Sequence, residues 1–325
     1  FDDYRKYLVG DKKRKIKIWR DNIMSNKAKA IFGNHPFTES EKKEPIYMDN
    51  TNIGQFIYPD FGLDYSDLNY MYLSTDKITV CSMEIGPGGF FNPPDYHPGD
   101  EAYFVLDGTI TQFNPETGGC IEVKEGEALL IPKGTLHSAY NFTDKIVKVL
   151  AVIAPKIVES QEFPTDVNGP KKIYGYNPKD FKEKSEEFIA PYRYGTVDQL
   201  GEWPERGELL REKKLIYHIT EERKLKVING DTRPVLMKFS VSNDYMSVGE
   251  YIVPAGGVVT RHSDVIQHDK EAFLLGMEGP LAVYMIESRE TYMLQHYEGL
   301  YIPPKTPYML LNYSAITARA VFAIA

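Results

Sequence analysis

Residues 95–108 read DYHPGDEAYFVLDG, and residues 126–141 read GEALLIPKGTLHSAYN. The first stretch leaves a strong turn phrase, Asn92-Pro93-Pro94-Asp95, and enters a short run rich in strand-forming residues. Side chains two and four residues apart share one face of a strand, so a regular strand directs Asp95, His97 and Glu101 the same way. The same parity sets Tyr103 and Val105 on the face of Glu101, and Ala139 and Asn141 on the face of His137. Pro132 and Gly134 make the tight turn that brings His137 in from a second strand, and Gly108 and Gly126 supply turn positions a side chain would obstruct. Two imidazoles and one or two carboxylates converging in this way are a candidate metal site.

Outward from these stretches the pattern is all-β. From about residue 76 the chain consists of short β-rich runs such as ITVCSMEI, EALLIP and KIVKVLAVIAP, punctuated by Gly, Pro and Asn. Residues 1–35 instead show helix-compatible spacing of Tyr4, Leu8, Ile16, Trp19 and Ile23, so an N-terminal helical or mixed extension is expected. The C-terminal part repeats the N-terminal part. EAYFVLDG (101–108) faces EAFLLGMEG (271–279) with one residue inserted, after which an offset of 171 matches Pro132 with Pro303, His137 with Tyr308 and Asn141 with Asn312. This reading keeps Glu271 at the position of Glu101 and makes the segment from Gly299 to Pro303 two residues shorter than that from Gly126 to Pro132. The expected organisation is an extension over 1–75, a metal-binding barrel over 76–155, a connection with helical pieces over 156–235 and a degenerate barrel over 236–325.

The second stretch resembles a cupin motif, Gly-x5-Pro-x-Gly-x2-His-x3-Asn, at Gly126, Pro132, Gly134, His137 and Asn141. The first resembles the other cupin motif at His97, Glu101 and Gly108, with Asp95 where that motif has its first histidine. The resemblance implies two jelly-roll barrels and one divalent metal ion (Mn, Fe or Zn) in the N-terminal barrel, held by His97, Glu101 and His137. If Asp95 ligates as well, the donor set is two imidazoles and two carboxylates. If Asp95 serves only as a turn residue, a two-histidine, one-carboxylate site with open positions remains. In the C-terminal copy His262, Asp264 and His268, with Tyr308 fourth, stand at ligand-like spacing. The tyrosine in place of histidine makes that copy read as a scaffold instead of a second metal site.

Composition excludes several classes. With 325 residues, 42% hydrophobic, the chain can bury a large core, and its net charge of −8 argues against general affinity for nucleic acid. The run Lys12-Lys13-Arg14-Lys15 is the one basic cluster, read as a solvated arm. No stretch of about 18 uninterrupted apolar residues suggests a membrane span, and the charged first residues do not read as a secretory signal, so a cytoplasmic location is expected. Cys81 and Cys120 are too few for a thiolate cluster and read as ordinary thiols.

The expected activity is that of a metal-dependent lyase, decarboxylase or isomerase acting on a small carboxylate or carbonyl compound, with Tyr103 as a candidate acid–base group beside the metal. An Fe(II) dioxygenase and a non-catalytic small-ligand binder are the alternatives. The expected partner is a small-molecule substrate, and the family implies a homodimer.

Overall fold

The computed structural model describes residues 35–36, 43–59, 66–90, 96–155, 202–229, 235–259 and 266–325. The expected N-terminal helices and Asp95 lie outside them. Among the described residues the secondary structure is strand apart from one α-helix, α1 (Gly207–Lys213), and no helix is long and apolar enough to cross a membrane.

A short β1 (Ile46–Met48) precedes the first half, which contains β2 (Gly54–Pro59), β3 (Ser66–Ser74), β4 (Thr79–Ile85), β5 (Asp100–Asp107), β6 (Thr109–Asn114), β7 (Gly119–Lys124), β8 (Ala128–Ile131), β9 (Ser138–Tyr140) and β10 (Val147–Ala154). After α1 comes β11 (Tyr217–Ile219). The second half contains β12 (Leu225–Asn229), β13 (Val235–Ser242), β14 (Ser247–Val253), β15 (Val258–Val259), β16 (Ala272–Glu278), β17 (Leu281–Met285), β18 (Thr291–Leu294), β19 (Gly299–Ile302), β20 (Tyr308–Leu311) and β21 (Ala318–Ile324).

These strands build two jelly-roll barrels of matching design. The first closes a seven-stranded sheet, β11-β8-β5-β10-β4-β3-β2, over a three-stranded one, β7-β6-β9. The second closes β1-β19-β16-β21-β14-β13-β12 over β15-β20-β17-β18. The first sheet takes in residues 54–74, upstream of the boundary expected at 76. Its β3, SDLNYMYLS, mixes polar and aromatic residues, so hydrophobic patterning alone leaves it faint.

The edge strands are exchanged. β1 precedes the first barrel yet pairs with β19 of the second, Ile46 opposite Tyr301 and Met48 opposite Gly299. β11 precedes the second barrel yet pairs with β8 of the first, Tyr217 opposite Leu130. Each barrel thus covers the open edge of the other.

Buried apolar side chains fall into three clusters, two inside the barrels and one between them. β5 shows why its sequence is apolar without alternation. Tyr103 and Val105 join the interior of the first barrel, while Ala102, Phe104 and Leu106 pack on Val241, Phe273 and Val321 of the second. A strand buried on both faces needs apolar residues at every position. Fully burying a side chain of this size is worth roughly 1.5–3 kcal/mol, so the middle cluster binds the barrels into one unit.

Candidate metal centre

Glu101 is the second residue of β5, and strand parity points it into the first barrel with Tyr103 and Val105. His97 arrives differently from the regular-strand expectation. It precedes β5, and a bend at Pro98 and Gly99 separates the two, so face parity does not position it. Instead its backbone carbonyl accepts the Gly134 N–H at 2.9 Å, which ties the loop before β5 to the turn before β9. Gly134 adopts φ +69 there, a left-handed conformation that suits glycine. That turn delivers His137 at the mouth of β9.

The three side chains meet in the interior. Glu101 Oε2 lies 2.9 Å from His137 Nε2 and 3.5 Å from His97 Nε2, with the residues only 2%, 3% and 8% exposed respectively. The ligand atoms all lie within 4.8 Å of one another. His137 Nδ1 sits 3.0 Å from the Thr135 carbonyl. A carbonyl can only accept, so Nδ1 carries a proton, and when the ring is neutral its Nε2 lone pair faces Glu101. Glu101 Oε2 is buried and accepts no hydrogen bond in the protein, although a ring nitrogen stands within 3 Å. With the ring neutral, two lone pairs face one another at that distance and repel unless a proton or a metal cation lies between them. The donors therefore fit a divalent ion, and a buried carboxylate without one would be costly.

Other groups complete the picture. Tyr103 is buried with its ring edge-on to His137, centroids 6.0 Å apart. Cys81 pairs with Ala151 in the adjacent row. Burial first, and the Glu101 charge second, push its thiol up to about 12, so it stays an ordinary protonated thiol. Asp100, next to Glu101, faces the second barrel instead. It accepts from Lys133 N–H at 2.8 Å, Arg211 Nη1 at 2.9 Å and Asn243 Nδ2 at 3.0 Å. Burial raises its carboxyl above the usual range against the opposing pull of the Lys133 N–H and Arg211. Nearby, Phe90 stacks on Tyr140 with ring centroids 5.5 Å apart, and Tyr96 is exposed.

The second barrel corrects the sequence alignment. Glu101 pairs with Ile153 and Ile131, and the residue pairing with Ile324 and Ile302, each 171 positions on, is Ala272. No residue is inserted in β16, and both strands bulge at the corresponding place. Nor is the later turn shortened: Tyr297 stands at the place of Gly126 and Lys305 at that of Gly134, both keeping positive φ. Glu271 thus corresponds to Asp100. One step along a strand reverses the face, so Glu271 leaves the barrel interior and accepts from Thr75 Oγ1 at 2.7 Å. Burial and the Glu271 charge together raise the Tyr301 phenol beside it. The counterparts of His97 and His137 are His268 and Tyr308, joined by a 3.1 Å hydrogen bond from the phenol to Nε2 or the reverse. His262 and Asp264 lie outside the described residues.

Comparison with known proteins agrees with this architecture. Residues 81–153 match the family model described as Cupin domain. Germin-like protein subfamily 2 member 3 of Arabidopsis thaliana is 36% identical over 110 residues, 33% of this chain and 47% of that protein, so the match spans about half of the relative's length. Among solved structures, AerE from Microcystis aeruginosa aligns with TM-score 0.52 at 10% identity, covering 86% of this chain and 97% of that one. A variant of Bacillus subtilis oxalate decarboxylase aligns with TM-score 0.53 at 11% identity, covering 87% and 79%, and another structure of that enzyme concerns its Mn(II) centres. The 7S globulin of Momordica charantia aligns with TM-score 0.54 at 15% identity, covering 86% and 83%. At these identities the structural likeness concerns the fold.

Proposed function

This chain belongs to the cupin superfamily through its first barrel, and on that premise we propose that it is a divalent-metal-dependent enzyme acting on a small carboxylate or carbonyl compound by lyase, decarboxylase or isomerase chemistry. The observation that carries the reading is the buried Glu101 oxygen facing two imidazole nitrogens with no hydrogen bond of its own. His97, Glu101 and His137 would hold one Mn(II), Fe(II) or Zn(II) ion, with Asp95 as a fourth ligand. Such an ion acts as a Lewis acid that stabilises negative charge developing on a bound carbonyl or carboxylate. The Mn(II) centres of the structurally similar decarboxylase favour manganese as the first ion to test.

The chain's own residues supply the remainder. The Thr135 carbonyl fixes the tautomer and orientation of His137. Val105, Ile131, Val149 and Ala151 belong to the buried apolar cluster of the same barrel and would keep the surroundings of the centre apolar. Tyr103, edge-on to His137, would form a wall of the site and hold or move a proton at its phenolic oxygen.

A two-histidine, one-carboxylate donor set also suits non-haem Fe(II) oxygenases, and this is the second reading. Metal analysis of the purified protein, together with its His137→Ala variant, tests the site. The expected result is about one ion per chain in the wild type and a near-complete loss in the variant. A wild type that takes up neither Mn(II), Fe(II) nor Zn(II) overturns the proposal. Oxygen uptake with Fe(II) and a substrate panel selects the oxygenase reading. Unchanged ligand affinity in the metal-free variant would leave a binding protein without turnover.

A further inference from the structure

Gln112 is a polar residue inside the first barrel that the metal chemistry does not use. It lies on β6, on the inward face it shares with Ile110, and it is completely buried. Neither its Oε1 nor its Nε2 has a hydrogen-bond partner in the protein. A buried carboxamide left unpaired destabilises a fold. β6 pairs with β9 and places Gln112 opposite Ala139. His137 is two residues earlier on the same face, hence a diagonal neighbour, about 7–8 Å away between Cα atoms and within reach of a long side chain.

The second barrel shows that the fold does not require this glutamine. There β17 pairs with β20 and sets Val283 opposite Leu310, the counterpart of Ala139, and Val283 joins the apolar core. Thr135 Oγ1 is likewise buried and unpaired, but its counterpart Thr306 is also threonine, so it does not distinguish the metal-binding barrel. Space differs too. Ala151, Met83 and Met71 in the first barrel stand where the second has Phe322, Tyr251 and Phe239.

We propose that Gln112 is a substrate-binding residue of the first barrel, its Nε2 donating to a carboxylate oxygen of a small ligand whose other oxygen atoms face His97, Glu101 and His137. The inference rests on the metal-dependent reading above and gives it a ligand class, small carboxylates bearing a second oxygen nearby. Such a ligand satisfies the amide in the occupied state only, which explains why a costly residue stands where valine suffices.

Isothermal titration of the full chain, first with Mn(II) and then with glycolate as probe, tests it. Gln112→Leu is expected to bind Mn(II) within about threefold of wild type, to bind glycolate about tenfold more weakly through loss of one hydrogen bond to a charged group, and to melt about 2–4 °C higher. Gln112→Glu retains the shape, adds a like charge and should weaken glycolate further, which keeps the test decisive if the leucine variant folds poorly. Equal glycolate affinity in wild type and variants overturns the inference, as does a Mn(II)-loaded wild type that binds no glycolate. A wild type that binds no metal is a different result, because it removes the proposed function itself.

Discussion

The two barrels share a backbone and differ in what they enclose. The first surrounds Glu101, His97, His137 and Gln112, all buried. The second carries Ala272, His268, Tyr308 and Val283 at the same places, and its interior is filled by Phe239, Tyr251 and Phe322, whose rings pack 5.2 and 4.7 Å apart about Phe322. Gly249 accommodates that packing, since a Cβ there would stand 2.7 Å from the Phe322 ring, where the first barrel has Cys81. Loss of the carboxylate removes the reason to bury imidazoles beside it, and the remaining His268–Tyr308 pair satisfies itself. Among the described residues the interior of the second barrel is filled by aromatic packing, and the first gives up packing for a polar centre.

Substitutions that make one barrel resemble the other should expose this division. Glu101→Ala, which copies Ala272, is expected to weaken metal binding by more than about a thousandfold, well beyond the ten- to hundredfold typical of residues behind the ligands. Metal content after dialysis measures it. Phe322→Ala, which copies Ala151, should destabilise the chain by about 3–5 kcal/mol in denaturant unfolding while leaving metal content of the folded protein unchanged. Thr75→Val removes the hydrogen bond to the buried Glu271 and those that Thr75 Oγ1 accepts from the Lys77 and Ile78 N–H groups, and should cost at least about 1.5–3 kcal/mol.

The smallest effect concerns Asp100. Its folded carboxyl titrates above the unfolded one, so the folded chain binds the proton more tightly. Its contribution to stability is fully present below the ordinary aspartate value of about 3.9 and declines as pH rises through the raised folded value. Asp100→Asn should flatten that part of a stability–pH profile, just above about pH 4. An unchanged profile would show that the carboxyl is not perturbed.

The first barrel was legible because its ligand spacing and turn glycines recur as text. Three features were not. Glu271 attracted alignment to Glu101 because it sits in a similar phrase, yet side-chain direction depends on ladder register, and only the pairing of β16 with β19 and β21 fixes that. Gln112 carries no motif, and a polar residue in a strand reads as solvent-facing until the sheet that covers it is known. The sheet residues at 54–74 escaped for the opposite reason: their apolar pattern is too weak to mark a strand without its neighbour β4. Asp95, the proposed fourth ligand, lies outside the described residues.

The exchanged edge strands bear on how the chain is made. β8 lacks its outer neighbour until residues 217–219 have left the ribosome, and β19 must find β1, which was synthesised some 250 residues earlier. Contacts so distant in sequence form slowly, because a long loop must close before they reward it. During synthesis the nearly complete first barrel waits with the edge of β8 exposed, and a fragment cut after β10 would carry that edge permanently, open to pairing with other copies of itself.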